Sequence, residues 1–344
     1  MSGAVLSAFR LSALPELRFS RSRAALTLSL LGVCAALAFL ASCVLGEYPL
    51  GLRRALLDSG SVDATVFWRL RVPRAVLGAV VGAALGASGS ALQALLKNPL
   101  ADPFILGVSG GAALGATIAL SVGLTAFLGP SVFAFLGSVA AMALVMAVGR
   151  SRRSPYAALL TGVVFNSFAA AAITCIKTLV SPDRVGEILY WLAGSLGYEP
   201  PRTLALAAAL QAVCLAMLWR QSGRLNLLSL GDEAAASLGV PVDRTRTLVL
   251  LAASLSVAGA VALSGLVGFV GLIVPHLLRL VLGPDQRLLV PASALLGAAF
   301  LMLSDLLTRM LFPLFHAELP VGVVTAVLGG PLFLVLLQRG EARA

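Results

Sequence analysis

Arg71 and Arg74 stand three residues apart at the mouth of a long apolar stretch, and Asp305 and Arg309 stand four apart near the end of another. A guanidinium is a planar fork of N–H donors that matches a carboxylate through two bonds at once. At the edge of an apolar span, such residues bind acids within the chain or on a partner. Asp305 precedes Arg309 by one helical turn, the order that favours an internal pair. A lone charge there would be costly, so these two are expected to hold each other. If the helix begins at Pro73, Arg71 and Arg74 are both expected to face outward at its mouth. A further pair of acids, Asp232 and Glu233, follows Gly231 between two apolar runs. They fit the first turn of a short helix at 232–238, where negative charge offsets the helix dipole, and Gly239 and Pro241 stop it. The preceding stretch, Leu225, Asn226, Leu227, Leu228, Ser229 and Leu230, reads as another short helix broken by Gly231.

No pattern for making or breaking bonds accompanies these charges. No G-x-x-x-x-G-K-[ST] phosphate loop occurs, so any ATP chemistry must come from another chain. There is no H-E-x-x-H set, and the only histidines, His276 and His316, are far apart. Cys34, Cys43, Cys175 and Cys214 all lie in apolar stretches without metal-ligand spacing. No catalytic residue, metal, cofactor or disulfide is expected, which argues against an intramembrane enzyme.

The elements that position the charges are membrane spans. Of the 344 residues 59% are hydrophobic and 12% charged, more apolar surface than a soluble domain can hide. At about 20 apolar residues per span, about ten segments qualify: 24–46, 73–96, 107–124, 126–149, 156–180, 203–219, 245–263, 267–282, 289–311 and 321–337. Only Ser264 and Gly265 separate the seventh from the eighth. The expected organisation is an N-terminal segment at 1–23, one all-α polytopic domain at 24–338 with a cytoplasmic excursion at 225–239, and a tail at 339–344. The run Leu40, Ala41, Ser42, Cys43 looks like a lipoprotein cleavage site, but the stretch before it is long enough to span and is expected to be retained.

The formal net charge of +10 comes mostly from Arg between spans, which indicates topology rather than nucleic-acid binding. Arg and Lys concentrate on one side if both termini are cytoplasmic. Residues 47–74 break that rule with Arg53, Arg54, Arg69, Arg71 and Arg74 outside. Small residues recur every fourth position: Gly78, Gly82, Gly86 and Ser90 in one span, and Gly107, Gly111 and Gly115 in the next. Such faces let helix backbones approach closely.

Four motifs in order carry a resemblance. They are Arg71-Val72-Pro73-Arg74; Asn98-Pro99-Leu100-Ala101-Asp102-Pro103 with Leu106-Gly107-Val108-Ser109-Gly110-Gly111; Gly268 to His276 with Arg279; and Glu318 to Thr325 with Gly329-Gly330-Pro331. The chain from about residue 24 to 338 resembles the FecCD-type permeases of type II ABC importers, the family of the vitamin B12, haem and iron–siderophore permeases. The resemblance implies a BtuC-like fold of ten helices in a bacterial inner membrane. It also implies a second permease copy, two cytoplasmic ATPase subunits and an extracellular binding protein. Arg71, Arg74 and Arg309 match positions that receive acids from the binding protein. The excursion with Leu225, Asn226, Leu230, Gly231, Asp232, Glu233 and Gly239 looks like the helices that press into the ATPase. Ser154 and Pro155 match the region of the cytoplasmic gate, and Asn166, Ser167 and Thr174 lie in the span that lines the path. His276, at the turn after Pro275, reads as structural.

The function expected is an importer permease for a metal chelate, working by alternating access. The alternative is an ion-coupled secondary transporter, which usually needs an ionisable group deep in the membrane. Apart from Lys177, near a helix end, and Asp305, beside Arg309, the spans hold none.

Overall fold

A computed structural model describes residues 21–124, 129–152 and 155–341, and among these the regular structure is helical. In chain order the helices are α1 (Arg21–Val44), α2 (Leu52–Leu57), α3 (Val62–Thr65), α4 (Val72–Leu95), α5 (Val108–Ser121), α6 (Gly129–Arg152), α7 (Pro155–Leu179), α8 (Pro182–Ala193), α9 (Pro201–Leu228), α10 (Asp232–Ser237), α11 (Val242–Ser264), α12 (Val270–Leu282), α13 (Gln286–Phe315) and α14 (Val321–Glu341). Among the described residues, seven helices are long and apolar enough to cross a membrane. Three shorter apolar helices, Val108–Ser121, Val270–Leu282 and Val321–Leu334, fill the remaining expected spans.

The centre is α4 against α13. They run antiparallel in one register, with Gly78 against Met302, Gly82 against Gly297, Gly86 against Ser293, and Ser90 Oγ donating to Gln286 Oε1 at 2.9 Å. A Cβ on Gly82 or Gly86 would collide with the carbonyl of Gly297 or Ser293. The every-fourth spacing thus packs backbone on backbone where lipid offers no hydrophobic drive. Helices α9, α11, α12 and α1 surround α4. The second small-residue face does the same for α5 on α6, with Gly111 against Gly137 and Gly115 against the Phe133 carbonyl. Helix α11 touches both groups.

Two spans are short because irregular backbone precedes them. Non-helical chain at membrane depth survives only where protein covers it. Residues 98–107 re-enter the bundle ahead of α5, and the chain turns through Gly107 in the left-handed region at φ 82°. Ahead of α12, Gly265 ends α11 at φ 65°, and Ser195 N donates to the Ser264 carbonyl at 2.8 Å. Gly322 N donates to the Gly194 carbonyl at 3.1 Å, so α14 starts on the same knot. Close by in the chain, between α8 and α9, Glu199 is buried and its Oε2 meets no partner; burial raises its carboxyl to about 7.

Three expectations change. The stretch Leu225–Leu230 is not a separate helix: α9 runs unbroken to Leu228. The break comes at Gly231, at φ 122°. The ninth span begins earlier than expected, because the Asp285 side chain accepts from Arg287 N and caps α13 at Gln286. Helix α8 was not expected. Its Asp183, Arg184 and Glu187 hide an amphipathic segment with Ile188 buried.

Replacing Gly82 with Leu should force α4 from α13 and cost about 1–3 kcal/mol or more, read as a lower melting temperature in detergent. Gly32→Leu, which meets open space, should leave it unchanged. Glu199 supplies a pH dependence of definite sign. Its folded pKa, about 7, lies above the ordinary 4.5, so its contribution is complete below 4.5 and is lost as pH rises through 7. The loss is at most about 3.4 kcal/mol. Melting temperature should fall across that window, and Glu199→Gln should flatten this component.

Candidate functional site

Where α4 begins, two arginines, Arg74 and Arg309, converge on two acids, with Arg71 beside them. The α4 register places Arg74 beside Asp305, with Nε at 2.9 Å from Oδ1 and 3.1 Å from Oδ2. Arg74 Nη1 also reaches Glu318 Oε1 at 2.6 Å. Arg309 Nε lies 3.2 Å from Asp305 Oδ2, one turn along α13, an ion pair off line for a hydrogen bond. The Asp305 side chain is 2% exposed, and two guanidiniums hold it; Glu318 is 43% exposed. Three positive charges against two negative leave the mouth basic.

Arg71 does not face outward, contrary to expectation. It is buried and donates to the backbone carbonyls of Val44 and Tyr48. The reason is local. Pro73 lacks an N–H and its ring crowds the carbonyl four residues back. The chain ahead of it, Val66–Arg71, widens into a π-helical turn. Arg71 then lies inside that turn, where it caps carbonyls that α1 leaves unpaired at its C-terminus. Arg309 helps, with Nη1 and Nη2 each 3.1 Å from the Ser42 carbonyl. Of the three expected docking arginines, Arg74 alone holds a partly exposed acid. Glu318 had no role in the sequence reading, although an acid just ahead of Pro320 on a basic face was a usable signal.

At the opposite end, Asp232 and Glu233 stand in the first turn of α10, behind Gly231 at the N-cap. Asp232 Oδ1 lies 3.3 Å from Lys97 Nζ, and Oδ2 lies 2.8 Å from Arg246 Nη2. The hydrogen bond from Arg246, ahead of the other contacts, holds the Asp232 carboxyl below its usual range. Ala235 is buried in the core, while Leu230, Glu233 and Leu238 are exposed. Gly239 closes α10 at φ 82°. Leu225 is buried, and Asn226 faces inward: its Nδ2 donates to Asp285 Oδ1 at 2.6 Å and its Oδ1 accepts from Gln286 N at 2.8 Å. The two ties join the end of α9 to the start of α13.

Lys97 is also the first residue of the re-entrant segment and takes φ 51°. That segment runs to α7. Asn166 Nδ2 donates to the Phe104 carbonyl at 3.1 Å, and Asn166 Oδ1 accepts from Gly110 N at 3.1 Å. Gly107 packs on Gly162. Asn166 is therefore a staple rather than a bare wall group. Ser167 and Thr174 stand exposed on α7, with hydroxyls turned back to the Val163 and Ala170 carbonyls. Pro155 opens α7, and Ser154 lies outside the described residues. His276 lies within α12, edge-on to Phe333 at 6.2 Å between ring centroids.

Residues 34–339 match the profile of the FecCD transport family. The cobalamin import system permease protein BtuC of Halobacterium salinarum is 42% identical over 80% of this chain and 74% of its own. The hemin transport system permease protein HmuU of Yersinia pestis is 38% identical over 83% and 87%. A solved metal-chelate type ABC transporter in an inward-facing conformation superposes with a TM-score of 0.82, at 32% identity, covering 91% of this chain and 98% of its own.

Asn166→Leu keeps the volume of the staple and removes its polarity. The Phe104 carbonyl then keeps only the Ser109 hydroxyl, and the Gly110 amide loses the Asn166 oxygen, at about 1–3 kcal/mol for a group left unpaired. Hydrogen exchange should rise across residues 98–110 and stay unchanged in α4. Protection at 98–110 equal to wild type would contradict the staple.

Proposed function

The chain belongs to the FecCD transport family, and from that premise we propose that it imports a bulky metal chelate, of the class of cobalamin, haem or a ferric siderophore, as one of two permease copies in an ATP-driven complex. Members of this family are ABC transporter permease subunits, and the chain is a multi-pass membrane protein. The observation that carries the reading is α10, a short helix with two acids in its first turn, almost wholly exposed yet fastened by Asp232 to both Lys97 and Arg246. Exposed Leu230 and Leu238 suit the groove of a cytoplasmic ATPase, and the two ion pairs suit transmission of its movement. In this reading both termini are cytoplasmic, in the bacterial inner membrane.

Movement of α10 pulls on Lys97, hence on residues 98–107, hence through Asn166 on α7. The hydroxyls of Ser167, Thr174 and Thr178 are bonded to their own helix. A wall with few free donors holds a large cargo weakly, as passage requires. The chain binds and orients; no covalent step belongs to it. The ion-coupled alternative lacks support, since Asp305 is committed to two guanidiniums at the outer end.

The test is vesicles carrying the permease, its ATPase and its binding protein. Uptake should require ATP and survive an uncoupler; uptake without ATP that collapses with the uncoupler would overturn the reading. Docking of the binding protein should turn on Arg74. A partner acid displaces half-exposed Glu318 and takes the Arg74 fork. Arg74→Gln should weaken docking by about tenfold or more, towards the range for truncating one partner of a charge pair. Glu318→Gln removes a competitor and should tighten docking or leave it intact. Arg71→Gln should lower stability instead. Equal loss of docking in the Arg74 and Glu318 variants, measured by binding-protein pull-down at low salt, would contradict the exchange.

A further inference from the structure

The face of α9 turned away from the core carries a feature that neither the path nor the two charged ends uses. Leu204, Ala207, Gln211, Cys214, Leu218 and Leu225 root the helix in the bundle. On the open side the stripe of Leu206 and Val213 is bare. Towards the α10 end it stops abruptly at Trp219, Arg220 and Arg224, all exposed. Arg287, from the first turn of α13, lays its guanidinium across Gly223, where a Cβ would be 3.4 Å from Nη2. Trp219 Nε1 donates to the Arg287 carbonyl at 3.3 Å, which joins the two helices at this point.

Charge makes the cluster unusual. Arg220 and Arg224 are one turn apart, a like-charge spacing that destabilises a helix unless something neutralises it. Among the described residues, none of the three guanidiniums has a carboxylate within ion-pair distance. Arg224 Nη1 has only Gln221 Oε1, at 2.9 Å. Asp285 Oδ1 is already taken by Asn226 and by the Arg287 amide. The Trp219 N–H is used, so its exposed ring presents apolar surface. The apolar stripe runs into the Arg220 and Arg224 guanidiniums, with the Trp219 indole and Arg287 flanking them round the helix, and this matches acyl chain, phosphate and glycerol region.

We propose that Trp219, Arg220, Arg224 and Arg287 form a docking site for the phosphate headgroup of an anionic lipid. The occupant is lipid rather than free phosphate, because the charges terminate a bare apolar stripe. The site locks the end of α9 to the start of α13, next to the Asn226 tie that precedes α10.

Trp219 is its own reporter, since the chain has 3 tryptophans and Trp68 and Trp191 can be replaced by Phe. The full-length chain is placed in phosphatidylcholine vesicles with phosphatidylglycerol as minor component. The acyl chains of one lipid or the other carry bromine, which quenches nearby tryptophan. Brominated phosphatidylglycerol should quench Trp219 as if enriched about fivefold or more over its bulk share, the scale for a basic residue near an anionic surface. Arg220→Gln with Arg224→Gln and Arg287→Gln should bring the enrichment to unity, whereas the three Lys replacements should keep most of it. Equal quenching by both lipids overturns the proposal. So does absence of quenching by either, which means a second copy covers the face. Loss of the enrichment on adding inorganic phosphate points to a free-anion site and also overturns it.

Discussion

Everything else hangs on the backbone contact between α4 and α13. Glycines let the two helices meet without side chains between them, and the contact fixes one antiparallel register along their whole length. At one end that register brings Arg74 to Asp305; at the other it brings Ser90 to Gln286. In lipid, where apolar side chains gain nothing by leaving their solvent, close packing and paired polar groups must supply the stability. The glycine faces supply the first and the charge pairs the second.

From this rigid pair the two working ends follow. At one, a buried acid shared by two arginines leaves Glu318 half-exposed on Arg74. At the other, Lys97, just past the end of α4, holds α10 through Asp232 and begins the chain that folds back into the bundle. That irregular stretch is tolerated because α5, α7, α11 and α4 cover it, and Asn166 and Ser109 occupy the Phe104 carbonyl. The same bonds that make it tolerable at depth tie it to α7.

Much of this was legible because it is periodic. Apolar length marked the spans, and Gly at every fourth residue marked the faces that pack. The Asp305–Arg309 pair was readable because both partners lie one turn apart on one helix. What escaped depends on which helix meets which. Arg74 finds Asp305 across 231 residues, and no spacing rule reaches that far. Arg71 was misread because its direction follows from the π-helical widening ahead of Pro73 rather than from a helix starting there. Asn166 was noted for its polarity in a span, yet its role comes from a loop 56 and 62 residues earlier. The short helix at 225–230 was inferred from Gly231, but a glycine after Leu228 says where a helix stops and nothing about where it began.

In the proposed mechanism α10 drives α7 through Lys97, residues 98–107 and Asn166. The direct measurement is the distance between spin labels at Thr174→Cys on α7 and Gly32→Cys on α1, in a background without the native cysteines and with the ATPase bound. ATP should change that distance in the otherwise wild-type chain. With Asp232→Ala and Asn166→Leu added, α7 should stay still while ATP is still hydrolysed. An unchanged ATP-dependent shift in that variant would contradict the account.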